Sequence, residues 1–380
     1  MKRTLTPVDL NIRNIMHCNG GDDDDVIMLD EEIPAKVIVK NSQSSTGHRV
    51  TKNDVRSQLK SEQTNIVLVY KPPGSPDGIT LTSEDISCLS PGGLLNDSII
   101  NFYLKYLYFE KLTKYQRHVT HLFNVFFYTR LTCDYPSSTT NREEVIRARH
   151  AGVARWTRRD DVFSKDFIII PINEKIHWIV GIVCYPWMVG MPKDVHADEV
   201  VGQCPLMEEF SDVEYIKFPQ SLDLSTIYEE SVHRIPIDVQ REAFNRWRRR
   251  RLAWLRKNGY NPKPCLLIFD SLPIVSRVPI ARVLYNYLQV EWDTRRSEVD
   301  GVLRFNSDTL PMHTPFLPTQ NNGVDCGVFM LHYVEKFFQK PIESYTRQYF
   351  ASKLKDWFPE SDIPAKRLFI RDLIFTCASR

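Results

Sequence analysis

The chain carries eight cysteines, Cys18, Cys88, Cys133, Cys184, Cys204, Cys265, Cys326 and Cys377, but no two in CxxC spacing. That scatter argues against a zinc site or a thioredoxin-type motif. No apolar run reaches the length of a membrane span, so no membrane partner is expected either. The stretch Met1-Lys2-Arg3-Thr4-Leu5-Thr6-Pro7 lacks the apolar core of a secretory leader. In a long chain without such a leader the thiols are expected to stay reduced, inside a cell. Strong net charge is missing as well. Lysine and arginine number 49 against 47 acidic residues, and the balance of +2 implies no nucleic-acid partner.

What is present is ample material for a packed core: 42% of the 380 residues are hydrophobic, enough for one large domain or two smaller ones. It is unevenly spread. Residues 1–64 are polar enough to read as a disordered region. One island, residues 22–32, places Val26, Ile27, Met28 and Leu29 between acidic blocks. Such a segment can add as a strand to an exposed sheet edge while its acids meet a basic rim. The competing reading is a chance apolar patch. A folded domain is expected over 65–380, interrupted by an insertion at about 187–262.

Within that domain, residues 66–70 predict a strand and 71–78 a turn-rich connector. Leu94-Leu95-Asn96-Asp97-Ser98 predicts a helix start capped by Asn96 or Asp97, followed by a largely apolar helix. Asp97 suits either capping or contact with a substrate cation. Residues 121–131 read as a second helix and 133–141 as a polar loop. Two apolar runs, 167–171 and 179–185, predict a hairpin turning at 173–175, with His177 and Trp178 at the start of its second strand. The insertion begins acidic and ends in a basic amphipathic helix, on which Phe244, Trp247, Arg251 and Trp254 fall near one face. Its arginine cluster can serve nuclear import or bind an acidic surface; alternatively the two tryptophans dock the helix on the domain. Residues 265–270 form a continuous apolar run ending in Asp270, as a strand buried on both faces would. A helix is expected over 279–291, and another from Cys326 to about Gln339.

The loop Gln320-Asn321-Asn322-Gly323-Val324-Asp325-Cys326-Gly327 carries the chemistry. A thiol at a helix N-terminus meets unpaired N–H groups and partial positive charge, which favour thiolate. Asp325 suits the N-cap position, where its carboxylate can accept from the first free amides. Gln320 can donate a side-chain N–H to an oxyanion. If the strand starting at His177 and the strand ending at Asp270 pair antiparallel, Asp270 can accept from one imidazole nitrogen while the other faces the thiol. Each residue also has a plainer reading: Cys326 as a small core residue, Asp270 as a cap, Gln320 as a loop-stabilising amide.

Three motifs together, His177-Trp178, Asp270-Ser271 and the loop ending in Cys326-Gly327, resemble the signature of the Ulp/SENP family of SUMO-specific cysteine proteases. Residues 95–104 resemble that family's early helix. The long loops, with Arg155-Trp156-Thr157-Arg158 and Lys165-Asp166-Phe167-Ile168, resemble its large-insert branch, which trims poly-SUMO chains. The resemblance implies an α+β, papain-like fold: a mixed central sheet flanked by helices, with the nucleophile at the N-terminus of a buried helix. It implies Cys326 as nucleophile, His177 as base and then acid, Asp270 as orienter and Gln320 as oxyanion donor. It further implies that Trp178 walls a narrow channel for the substrate's Gly-Gly tail, with Leu94 where many members place a tryptophan, and that no metal or organic cofactor is required. Residues 26–29, between their acidic blocks, separately resemble a SUMO-interacting motif. The expected partners are SUMO and its conjugates, met by a monomeric enzyme in the nucleus and also in the cytoplasm. Alternatives are a protease for another ubiquitin-like protein such as Nedd8, an acyltransferase on the same triad, or an inactive SUMO-binding scaffold.

Overall fold

A computed structural model describes residues 65–133, 141–192 and 236–379. Val26, Ile27, Met28 and Leu29 lie outside the described residues, as do 193–235 of the expected insertion.

Strands β1 (Ile66–Tyr70) and β2 (Ile79–Thr82) pair antiparallel. Helix α1 (Asp97–Tyr106) follows. Its cap is Asn96, whose side chain accepts from the Ile99 N–H at 3.1 Å, so Asp97 is left exposed at the first turn rather than capping it. Seven of its ten residues are buried, as its apolar run dictates.

Among the described residues the main sheet has five strands, neighbours in it following chain order. Here the expected helix over 121–131 is corrected. Thr120–Leu122 is strand β3, parallel to β4 (Phe167–Glu174), and only Phe126–Thr132 is helical (α2). Pairing decides the matter, because the Phe123 N–H donates to the Ile169 carbonyl and the Asp166 N–H to Val119. Helix α3 (Arg142–Ala151), capped by Asn141, lay unassigned in sequence because it carries no apolar stripe. Its buried anchor is His150, whose Nε2 lies 2.6 Å from the Glu291 carboxylate.

Strand β4 turns into β5 (His177–Cys184) through Lys175 and Ile176 alone, so Asn173 and Glu174 belong to the strand and not to the turn. Both turn residues have positive φ, 54° and 67°. Pro171 is tolerated inside β4 because β3 has already ended: its last partner is Ile169.

The next helix, α4 (Ile237–Lys257), is seated on the domain. Phe244 stacks on Trp247, which meets Trp187 edge-on, and Arg251 is buried in an ion pair with Asp166. Strand β6 (Cys265–Phe269) is buried throughout, antiparallel to β5 and parallel to the short β7 (Met312–His313). Helix α5 (Val278–Arg295) covers one face of the sheet and α6 (Cys326–Gln339) the other. Alternation divides β5 accordingly: Val180 and Ile182 belong to the cluster with Val328 and Leu331, whereas Ile179 and Val183 belong to that with Ile280 and Leu284. Helix α7 (Asp362–Ala378) closes the α6 side.

Candidate active site

Antiparallel pairing of β5 with β6 has a local consequence. Val180 lies opposite Phe269, so the start of β5 stands beside the residue that leaves β6. His177 and Asp270, 93 positions apart in sequence, thereby meet: Nε2 lies 2.7 Å from Oδ1. With Nε2 engaged, Nδ1 is the nitrogen left for the thiol. The Cys326 thiol is close enough for this imidazole to influence its charge, and the reverse.

Cys326 opens α6 and is buried. Its sulfur lies 4.0 Å from the Ile176 carbonyl at the tip of the β4–β5 turn. Burial alone would raise the thiol's pKa. The His177 imidazole and the backbone N–H groups of Trp178 and Gly327 outweigh it and lower the pKa. Burial likewise opposes charge on His177, but Asp270 and the sulfur overcome it and push the imidazole up to about 9. The two directions agree: each group favours the charged form of the other.

Asp325 occupies the N-cap position as expected, yet its carboxylate caps nothing. Oδ1 accepts from Arg367 of α7 at 2.5 Å and Oδ2 from Asn322 at 2.8 Å. A charge-assisted bond to a buried guanidinium is stronger than one to a neutral amide. This arrangement turns a negative charge away from the sulfur and leaves the first amides of α6 to the thiolate. Arg367 also donates to the carbonyls of Cys88 and Gly93, tying the segment ahead of α1 to the start of α6.

Gly327 sits in a tight space. A Cβ there would stand 3.0 Å from Leu95 Cβ and 3.2 Å from both Ile100 Cδ1 and Trp178 Cδ1. Trp178 is only 3% exposed, and its indole N–H donates to the Leu95 carbonyl at 3.0 Å. Leu94, beside it in sequence, is 42% exposed. Gln320 is buried, its side-chain oxygen accepting from Ser271 Oγ at 2.6 Å and its nitrogen donating to the Asn322 carbonyl at 2.6 Å. A primary amide has two N–H donors, and one is committed here.

Sequence reasoning missed two groups beside the triad. Ser271 orients the Gln320 amide, and Arg277 contacts the Asp270 carboxylate through Nε at 2.7 Å. An arginine in a turn carries no periodic signal, and only the register of Asp270 could have pointed to it. No cluster of His, Cys, Asp and Glu suited to a metal occurs among the described residues. No helix among them is long and apolar enough to cross a membrane.

Residues 94–370 match the model of the Ulp1 protease family, C-terminal catalytic domain, which covers well over half of the chain. The chain belongs to the Ulp1 protease family. Among its curated relatives is Sentrin-specific protease 7 of Mus musculus, 34% identical over 81% of this chain and 28% of that protein. Another is Ubiquitin-like-specific protease 2 of Schizosaccharomyces pombe, 29% identical over 80% of this chain and 41% of that protein. The chain thus spans less than half the length of these relatives. A crystal structure described as that of the de-sumoylating protease aligns with TM-score 0.52 at 20% identity, covering 82% of this chain and 91% of the other. That likeness shows the fold alone, and it agrees with an α+β, papain-like architecture around a mixed sheet. Membership of the Ulp1 family makes the chain a cysteine protease by class.

Proposed function

We propose that this Ulp1-family chain is a SUMO isopeptidase that deconjugates or trims poly-SUMO chains. The observation that carries the reading is the row formed by Asp270, His177 and Cys326 where β5 starts, β6 ends and α6 begins. Relatives named sentrin-specific and ubiquitin-like-specific proteases support the substrate class.

In this reading the Cys326 thiolate attacks the carbonyl after Gly-Gly, and the free N–H of Gln320 stabilises the oxyanion. The lysine amine leaves with the proton held on His177. Neutral His177 then takes a proton from water, which hydrolyses the thioester. Trp178 and Leu94 flank the channel for the incoming tail, and Asp97 contacts a cation of the substrate. Residues 65–380 form the protease domain, with 187–262 an insertion in it. The enzyme works as a monomer in the nucleus, with residues 26–29 gathering SUMO chains.

The test is a panel of ubiquitin-like proteins bearing a C-terminal electrophile. SUMO probes are expected to label the wild type and to fail on Cys326→Ala. Labelling by a Nedd8 probe alone would defeat the substrate assignment. Binding of poly-SUMO without any turnover would make the chain a scaffold instead.

A further inference from the structure

We propose that Arg277 is a positioning residue for this reaction: it clamps the outer oxygen of Asp270, fixing the carboxylate on His177 and setting how strongly that carboxylate holds the imidazole's proton. The inference rests on the reading of Cys326, His177 and Asp270 given above and goes beyond it to a fourth side chain.

The carboxylate's partners are divided cleanly. Oδ1 accepts from His177 Nε2 at 2.7 Å and from the Leu272 N–H at 2.8 Å. Among the described residues Oδ2 accepts only from Arg277, through Nε at 2.7 Å and Nη2 at 2.6 Å. The Asp270 side chain is fully buried and that of Arg277 is 7% exposed, so water does not substitute for either. Placed at the residue before α5, the guanidinium also reaches back toward β4, where Nη1 lies 3.6 Å from Glu174. Glu174 is the β4 residue directly opposite His177 across the hairpin. Arg277 therefore joins the end of β6, the start of α5 and the end of β4 around the histidine.

Two physical effects follow. The first is geometric. A carboxylate held by one imidazole can rotate about its last bond, whereas one gripped on both oxygens cannot, and its inner lone pair stays on Nε2. The second is electrostatic. Every charged group facing Asp270 has a sign: His177 from β5 and Arg277 are cationic, Glu174 is an anion on the far side of the guanidinium, and Tyr333 of α6 stays neutral. A guanidinium remains charged at every accessible pH, and its removal leaves the imidazolium and thiolate in a more negative surrounding. Protonated forms are then favoured, so the pH at which the thiolate appears moves up. Left unclamped, Asp270 would also bind the imidazolium proton more tightly, making His177 a poorer acid for the departing amine.

The experiment uses the full chain with Arg277→Gln and Arg277→Lys, read in two ways. The first is the rate at which iodoacetamide alkylates Cys326 as a function of pH, which needs no SUMO. Its midpoint is expected to rise by about one pH unit in Arg277→Gln and by less in Arg277→Lys, which keeps the charge. The second is turnover of a SUMO conjugate, where kcat should fall roughly tenfold to a hundredfold in Arg277→Gln with little change in KM. A fall in kcat with an unmoved alkylation midpoint would reduce Arg277 to a structural residue and overturn the proposal. So would wild-type values in both measurements. Should Arg277→Gln not fold, as judged by circular dichroism, Arg277→Lys decides by the same two criteria. An alkylation shift in Arg277→Gln together with a wild type that cleaves no SUMO conjugate would sink the substrate assignment and leave the clamp standing.

Discussion

The triad residues share a property that made them visible in sequence: each sits at the boundary of an element. His177 opens β5, Asp270 follows β6 and Cys326 opens α6. Chemistry at such boundaries can be read once the elements are, because apolar runs stop where polar function starts. Arg277 and Ser271 were not legible, since their roles depend on where a turn folds back in space. The pH dependence belongs at this scale. The active pair needs thiolate on Cys326, which is lowered, and imidazolium on His177, which is pushed up to about 9. Catalytic efficiency is therefore expected to decline on an alkaline limb near that value, with its acid limb set lower than an ordinary thiol would set it. In Asp270→Asn the anion that raises His177 is gone, so this limb should move down toward neutrality. Turnover should drop by roughly 10²–10⁴. A pH–rate profile in which Asp270→Asn leaves the alkaline limb where it was would mean that Asp270 does not set the charge of His177.

At the scale of elements, β6 was legible as a continuous apolar run and α6 from the apolar run Val328 to Leu331 that opens it, and β3 and α3 were not. Three residues of β3 become a strand only because β4 offers them a partner, and the polar surface of α3 gives no periodic signal. The β4–β5 turn shows a further cost that composition hides. A two-residue hairpin with both φ values positive favours Asn-Gly, yet here it is Lys175-Ile176. A β-branched side chain in that region is strained, and Ile176 is 70% exposed, so packing does not compensate it. Its carbonyl, however, faces the Cys326 sulfur. Ile176→Gly should raise stability to urea unfolding by about 1 kcal/mol through relief of that strain. An unchanged or lower midpoint would indicate that the turn carries none. Gly327→Ala should act in the opposite sense. Its Cβ would crowd Leu95, Ile100 and Trp178, costing about 1–3 kcal/mol and displacing the sulfur. Stability and alkylation rate are expected to fall together, and a variant that keeps both would show that the start of α6 can yield.

Across the whole molecule, the basic helix α4 is the element whose placement the sequence left open. Its tryptophans were read as candidates for docking, and its arginines for import or an acidic partner. The arginines divide between the two settings. Arg248 is buried and donates to the Val189 carbonyl at 2.7 Å, and Arg251 is buried against Asp166 and Tyr115, whereas Arg246 and Arg256 face solvent. Periodicity marks a helical face but cannot say that a guanidinium on it will enter the core, because burial of a charge depends on a carboxylate supplied from elsewhere. Here that carboxylate is Asp166, just before β4, which also accepts from Trp187 Nε1 at 3.0 Å. The ion pair thus welds α4 to the sheet that carries His177. Removing one partner leaves the other charged and buried, so Arg251→Ala or Asp166→Ala alone should cost about 3–5 kcal/mol. Replacing both with apolar residues of similar size, Arg251→Met with Asp166→Leu, removes the stranded charge and should cost clearly less than the sum of the two single changes. Urea unfolding of the four proteins, treated as a double-mutant cycle, measures that coupling. Additive losses would mean that the two groups are solvated separately and that apolar contacts of Phe244, Trp247 and Leu255 alone hold the helix in place.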